Sequence, residues 1–434
     1  MFPNIPKGTR DFSSIEMSKR NFLIQTIRKQ FELFGFFSIE TPSIENISTL
    51  LGKYGEEGDS LIFKLLHSGD FLKNISNKAL RYDLTVPFVR YVVMHKNEIV
   101  FPFKRYQIQP VWRADKPQKG RWREFYQCDA DMISFSWSLW EEIELIQLCD
   151  EIFTKLNFPI VIYINHRDIL RGLFETAGIE NNLWKDFTVS LDKWNKIGRN
   201  LVKKEMLYKG ISSLSFDKVA FFFDMKENFC NQKKHLTIAL QNSEKGKKGI
   251  RDLSFIYKNI KNISLQKTKL EWNLSLARGM NYYTGTILEI VPFNSFISIG
   301  GGGRYDKLAN LFGMNNIYGV GISLGLDRIY LAMEQENLFQ TIPSKVLFIN
   351  FGNEEVLYAY KIIKFLRKEG ISTQLYPNAD KIRKQFRYAN NNNIPFVISI
   401  GKNEINQNKI RMKDFQERTE KEYDNIDEVM NQLT

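Results

Sequence analysis

Residues able to grip anions are concentrated between positions 113 and 127: Arg113, Lys119, Arg121 and Arg123, with Glu124, Phe125 and Gln127 beside them. A guanidinium offers a planar fork to phosphate or carboxylate oxygens, and the Phe125 ring can stack on a purine. If strand alternation holds, Arg121 and Arg123 share a face. Taken alone, the same cluster also describes a solvated basic hairpin. A second group, LARGMNYYTGT at 276–286, carries Arg278, Tyr282 and Tyr283. An arginine in an apolar strand is costly unless something pairs it, be it a ligand or a structural salt bridge. In SIGGGGRYD, at 298–306, four glycines permit a very close backbone approach. No GKS or GKT follows, so this is not a phosphate loop; by itself it also reads as a tight turn. In GVGISLGLDR, at 319–328, a strand runs into a helix whose first turn presents Asp327 and Arg328, a natural place to meet an anion. Asp83 and Thr85 in RYDLTVP can accept from an ammonium group or cap a helix, and Asp131 in CDADMIS closes the hairpin's second strand.

The elements that must position these residues follow from periodicity. Leu23, Ile27, Phe31 and Phe34 recur at helical spacing, and Gly35 stands where a C-terminal cap belongs. A short strand at 36–39 precedes Thr41-Pro42. The segments 103–113 and 122–133 form a long antiparallel hairpin around a polar loop with Pro117 and Gly120. Leu145, Cys149, Ile152 and Leu156 line one helix face, and a strand follows at 160–164. From 171 to 262 the chain is Lys- and Asn-rich and helical without recognisable chemistry, as in an inserted domain. Strands are expected again at 272–277, 286–291, 296–299 and 319–323, then a helix from Leu326. After a linker at 341–344, strands at 346–351, 373–376 and 396–400 alternate with helices at 354–368 and 380–391, a small α/β module.

Composition sets the frame. At 434 residues and 43% hydrophobic content the chain suits two or three folded domains and excludes global disorder. No apolar run is long enough for a membrane helix, so no membrane partner is expected. Pro3, Pro6 and Gly8 interrupt the start where a secretory signal needs an apolar stretch. Cys128, Cys149 and Cys230 lack CxxC spacing, and His67, His95, His166 and His235 lack metal spacing, so neither disulfides nor a protein-only metal site is expected. A reducing, cytoplasmic setting follows. A net charge of +12 favours polyanions as partners, although abundant Lys and Asn also fit a genome-wide composition bias.

In order, the chain carries PKGTRDF, the Pro42 segment, RYDLTVPFVRY, KRYQIQPVWRADKPQKGRWREFYQCDADMIS, LARGMNYYTGT, GGGRYD and GLDR. This series resembles the histidyl-tRNA synthetase family, class II aminoacyl-tRNA synthetases, from about Pro6 to the end, with 171–262 matched by position only. RYDLTVP and LARGMNYYTGT are similar to segments distinctive of the histidine enzymes; the hairpin and GLDR are general to class II. The resemblance implies an α+β catalytic core over 1–340, an antiparallel sheet flanked by helices, with a helical insertion at about 171–262. It also implies a small α/β anticodon-binding domain over 343–434 and a homodimer with the Pro42 segment at its interface. The implied substrates are L-histidine, ATP with Mg2+ and tRNA(His), with no tightly bound cofactor. Carried over by position, Asp83, Thr85 and Gln127 would hold the α-amino group. Arg113 would bridge the carboxylate and α-phosphate, and Arg278 would face that phosphate from the other side. Arg121, Arg123 and Arg328 would hold the β- and γ-phosphates and the adenine region, with Phe125 stacked on the base. Asp131 would accept from one imidazole nitrogen and Tyr283 donate to the other, beside Tyr282, a polarity that leaves apolar competitors with unpaired partners. Asn281 departs from the family's more usual aspartate. Three rivals differ in kind. A non-catalytic regulatory relative would lack the C-terminal module, another class II synthetase would lack LARGMNYYTG, and a tRNA-binding protein with a dead core would lose the arginines.

Overall fold

Ser13 starts the first helix with a reciprocal cap: its hydroxyl accepts from the Glu16 backbone N–H, and the Glu16 carboxylate accepts from that of Ser13. The helix, α1 (Ser14–Leu33), buries Leu23, Ile27 and Phe31, and Gly35 beyond it takes φ +75°, as the C-terminal cap requires. The structure, a computed structural model, describes residues 3–66, 75–225, 227–277, 282–295, 297–339 and 345–433. The chain forms two units, 1–339 and 340–434, each described by itself.

After α1 come β1 (Phe37–Ser38), β2 (Ile44–Asn46), α2 (Ile47–Leu50), α3 (Gly55–Ser60), β3 (Lys64–Leu66), β4 (Ile75–Leu80) and α4 (Thr85–Met94). The expected hairpin is β5 (Phe103–Trp112) and β6 (Glu124–Ser134), followed by α5 (Trp140–Lys155) and β7 (Ile160–His166). The insertion holds α6 (Arg167–Thr176), α7 (Trp184–Leu191), α8 (Trp194–Tyr208), α9 (Ser213–Asp224), α10 (Phe229–Ala239) and α11 (Glu244–Ile263). The chain returns through β8 (Thr268–Trp272), β9 (Thr286–Pro292), β10 (Gly300–Arg304), β11 (Tyr318–Gly325) and α12 (Leu326–Gln335).

Among the described residues, eight strands form one sheet in the order β1-β5-β6-β11-β10-β9-β7-β8. The central six are antiparallel, as expected. The edge pairs β1/β5 and β7/β8 are parallel, which makes the sheet mixed. A parallel pair needs a crossover, and the whole insertion is the one joining β7 to β8. Cys128, Ala130 and Met132 point from β6 into the large core with Leu23, Ile27 and Phe31. Alternation turns Gln127, Asp129 and Asp131 to the opposite face, which carries the site. Strands β2, β4 and β3 make a separate small sheet.

Two local expectations need correcting. The strand expected at 272–277 ends at Trp272, and residues 273–277 are irregular, with Asn273 capping Ser275. Residues 297–299 are not a strand either, and Phe296 lies outside the described residues. The glycine run after them is the strand: β10 is Gly300–Arg304, hydrogen-bonded between β9 and β11. A Cβ at Gly302 would lie 2.2 Å from the Gly321 carbonyl oxygen, so the glycines serve close strand-to-strand approach rather than a turn.

In the second unit, β12 (Lys345–Phe348), α13 (Asn353–Lys368), β13 (Ser372–Leu375), α14 (Ile382–Asn391) and β14 (Phe396–Ser399) give the expected alternation. The chain then adds α15 (Lys402–Asn406), the hairpin β15 (Ile410–Asp414) and β16 (Thr419–Tyr423), and α16 (Ile426–Leu433). The sheet order is β13-β12-β14-β15-β16, parallel across its first three strands. The expected linker at 341–344 lies outside the described residues.

Candidate active site

A cavity of 570 Å³ opens over the polar face of the large sheet. That volume suits a small-molecule ligand, for which pockets run roughly 300–1,000 Å³. Of the residues singled out in the sequence, Arg113, Arg121, Phe125, Gln127, Tyr283 and Arg328 line it, joined by Gly300, Gly301 and Gly302. Arg113 closes the end of the hairpin. Its Nε donates to the Tyr82 carbonyl at 3.1 Å, and its guanidinium lies 4.3 Å from the Tyr82 ring and 5.1 Å from the Phe125 ring. Arg328 donates from Nε to the Gly120 carbonyl at 2.9 Å and from Nη1 to that of Ser298 at 2.8 Å, tying the hairpin tip to the approach of β10.

Arg121 and Arg123 do not share a strand face, because β6 begins only at Glu124. Arg121 lines the cavity near Asp115 (3.6 Å). Arg123 turns toward the backbone carbonyls of Asp115 and Lys7, at 3.2 and 3.4 Å, and is not among the lining residues. A loop between strands does not hold the two-residue alternation that the sequence reading assumed.

Asp83, Thr85, Asp131 and Tyr282 form a buried layer away from the lining. Asp83 accepts from the Tyr54 hydroxyl (2.9 Å), the Tyr282 hydroxyl (3.2 Å) and the Val86 backbone N–H (3.1 Å). It therefore also bonds the first turn of α4, and burial raises its carboxyl above the usual range. Asp131 takes the Tyr305 hydroxyl on Oδ1 at 2.5 Å, and its Oδ2 is 2.8 Å from Arg105. Burial raises it too, against the opposing pull of Arg105. Burial first, and the neighbouring acidic side chains after it, raise the Tyr283 hydroxyl and keep it protonated, and so a donor. Arg278 and Asn281 lie outside the described residues.

Several site residues escaped the sequence reading. Arg105, inside FKRYQIQPVW, is fully buried behind Asp131; its signal was a charge at a position whose alternation matches Gln107. Asp327, singled out in the sequence beside Arg328 at a helix start, accepts from two residues that were not, Arg10 and Arg20 (2.5 Å), and from the Tyr126 N–H at 2.8 Å, while Arg10 stacks 3.6 Å over Trp122. PKGTRDF thus braces the turn end of the hairpin. The insertion, read as carrying no chemistry, supplies Lys185, Thr188, Asp192, Lys193 and Lys196 to the cavity wall. No local pattern marked them, because folding alone brings them there.

A mixed sheet flanked by helices, with this hairpin and glycine strand around one cavity, defines the class II synthetase fold. Comparison with known proteins agrees. Residues 8–329 match the histidyl-tRNA synthetase family and residues 345–434 the anticodon binding domain. The chain is 53% identical to the histidine–tRNA ligase of Christiangramia forsetii and 51% identical to that of Flavobacterium johnsoniae, each match covering 95% of both chains. The histidyl-tRNA synthetase structure from Nostoc sp. PCC 7120 superposes with a TM-score of 0.87 at 30% identity, covering 100% of both chains. The chain belongs to the histidyl-tRNA synthetase family, ATP-dependent aminoacyl-tRNA ligases.

Proposed function

We propose that the cavity over the large sheet is where L-histidine is activated with ATP and then passed to the 3' end of tRNA(His). Histidine–tRNA ligation is the activity of the family, and the observation that carries the local reading is the meeting of Arg113, Phe125, Gln127, Tyr283 and Arg328 around one space. The histidine carboxylate attacks the α-phosphorus, an oxygen–phosphorus bond forms, and pyrophosphate leaves with the electrons of the broken bond. A carboxylate is already nucleophilic, so the protein positions and neutralises rather than moving a proton. Arg113 bridges carboxylate and α-phosphate, and Arg278 meets that phosphate from the far side. Phe125 stacks on adenine, with Arg121 and Arg328 toward the outer phosphates; Arg123 joins them only by turning from its backbone partners. Mg2+ arrives as part of the ATP substrate, and no tightly bound cofactor is required. Gln127, with Asp83 and Thr85 behind it, holds the α-amino group. Tyr283 donates to one imidazole nitrogen beside Tyr282, and Asp131 accepts from the other. Asp131 Oδ2 supports that role, being ion-paired but, among the described residues, without a hydrogen bond in good geometry.

The unit from residue 340 onward reads the anticodon of the tRNA, a reading its family match supports. The working enzyme is a cytoplasmic homodimer. Exposed apolar side chains at Phe37, Ile44, Met94 and Val100 support a subunit interface there. ATP–pyrophosphate exchange, measured with each amino acid in turn, tests the reading: it should depend on histidine alone, and comparable exchange with threonine, proline or glycine would overturn it. A chain ending at Phe339 should keep histidine-dependent exchange and charge tRNA poorly. Undiminished charging would remove the anticodon role from the second unit.

A further inference from the structure

Asp129 sits between Gln127 and Asp131 on the site face of β6, 1% exposed, and none of the roles above uses it. Its register partners are Gln107 on β5 and Ser323 on β11. Among the described residues, neither carboxyl oxygen meets a donor in good hydrogen-bond geometry; Ser323, whose oxygen accepts from Gln127 Nε2 at 2.7 Å, relieves it only in part. Two neighbouring amide carbonyls are in the same condition, Gln107 Oε1 and Gln127 Oε1. Both amide nitrogens are occupied, that of Gln107 with Thr41 at 2.9 Å and that of Gln127 with Ser323. Unpartnered acceptors therefore cluster on this face among the described residues, and buried acceptors without partners are costly.

The charges around Asp129 point the same way. From β5 the facing cation is Arg105, which ion-pairs with Asp131 Oδ2 at 2.8 Å through Nη2 and also donates from it to the Leu84 carbonyl at 3.2 Å; its Nε and Nη1 meet no acceptor in good geometry among the described residues. The same strand, β6, adds Asp131 and Cys128, the latter turned into the opposite core. Among the described residues, Asp83 and Arg81 before α4, and Tyr283, are the remaining ionisable groups within influence, and β11 presents the Ser323 hydroxyl opposite. Two carboxyls thus share one guanidinium in a dry setting, and such a pair holds one charge more readily than two. Burial, opposed by Arg105 and reinforced by Asp131, pushes Asp129 up to about 8.

We propose that Asp129 is a positioning residue that works as a neutral carboxylic acid, its proton supplying the donor that orients the Gln127 carbonyl for the α-amino group of histidine. The inference rests on the placing of Gln127 in the histidine site. A carboxylic acid donates once and accepts once, and it turns a cluster of orphaned oxygens into a chain with a direction. Loss of the proton leaves the Gln127 carbonyl without that donor and the amide held through its nitrogen by Ser323 alone.

The test is histidine-dependent ATP–pyrophosphate exchange on the full-length enzyme, run from about pH 6 to about pH 9 so as to bracket the group. Asp129→Asn keeps a donor and an acceptor in the same shape, so its KM for histidine at neutral pH should stay within about threefold of the parent. Asp129→Ala should raise it about tenfold, the scale of one lost buried hydrogen bond. The ratio of parent to Asp129→Asn KM cancels the titration of histidine itself. It should be flat at neutral pH and climb above about pH 8 as the parent loses its donor. A pH-flat ratio, or an Asn variant as impaired as the Ala variant at an unchanged melting temperature, overturns the role of Asp129. An unchanged histidine KM in Gln127→Ala overturns instead the reading on which this rests. If the variants do not fold, the carbon-13 titration of the Asp129 carboxyl in the parent decides, and an ordinary acidic midpoint overturns the proposal.

Discussion

Gly321→Ala tests how the histidine pocket is built. Gly321 lies opposite Asp131 where β11 pairs with β6, and a Cβ there would sit 2.1 Å from Asp131 Oδ1, 2.5 Å from its Cγ and 3.0 Å from the Ala130 carbonyl oxygen. The backbone cannot yield, since β11 is hydrogen-bonded to β6 on one side and β10 on the other. The carboxylate must swing away, giving up the Tyr305 hydroxyl at 2.5 Å and Arg105 at 2.8 Å. A hydrogen bond to a charged group contributes about 1.5–3 kcal/mol, so losing the Tyr305 bond alone costs that much, before the Arg105 ion pair is counted. Because every 1.4 kcal/mol is about tenfold, even the low end applied to histidine binding is about a tenfold effect. Melting temperature and exchange kinetics on the same variant give the answer. The melting temperature should fall and the KM for histidine rise at least tenfold by this scale. The KM for ATP should move little, because Arg113, Phe125 and Arg328 stand elsewhere on the cavity wall. A lower melting temperature with an unchanged histidine KM would refute the role of Asp131; no change in either would refute the packing argument.

Arg304, from the GGGRYD segment, is expected to matter for stability and not for chemistry. It is 2% exposed, with Nε and Nη2 donating to Glu142 at 2.7 and 2.6 Å and Nη2 also to Glu141 at 3.0 Å. Arg304→Met strands a buried Glu142 and should cost about 3–5 kcal/mol, with kcat per folded molecule near the parent value. Urea melts and active-site titration check this, and lost adenylation in a protein of normal stability would contradict it. Arg278→Ala should lower kcat for adenylate formation about a hundredfold, the size of losing one oriented charge donor, with smaller changes in KM. Arg278→Lys should not restore the rate fully, since an ammonium lacks the bidentate fork. Pre-steady-state adenylation decides it, and a normal rate in a destabilised Ala variant would end the catalytic role.

The sequence by itself determined what local rules govern. Helical spacing and Gly35 located α1, alternation located β5 and β6, and the motif series named the family that the comparisons then showed. Local rules failed where the answer depended on a neighbour distant in the chain. Four glycines in a row read as a close backbone approach or a tight turn, and nothing local shows that Gly302 must instead meet the Gly321 carbonyl across a strand pair. Arg121 and Arg123 read as one face because alternation was extended past the end of β6. The lysines of α7 and α8 carried no motif, yet their helices stand beside the cavity. Asp129 was visible as the middle member of the Gln127, Asp129, Asp131 alternation, but its lack of partners was not. A residue type states which hydrogen bonds and charges a side chain can offer. Whether those offers are met depends on which strands become neighbours and how much water they exclude, and the tertiary structure alone decides that.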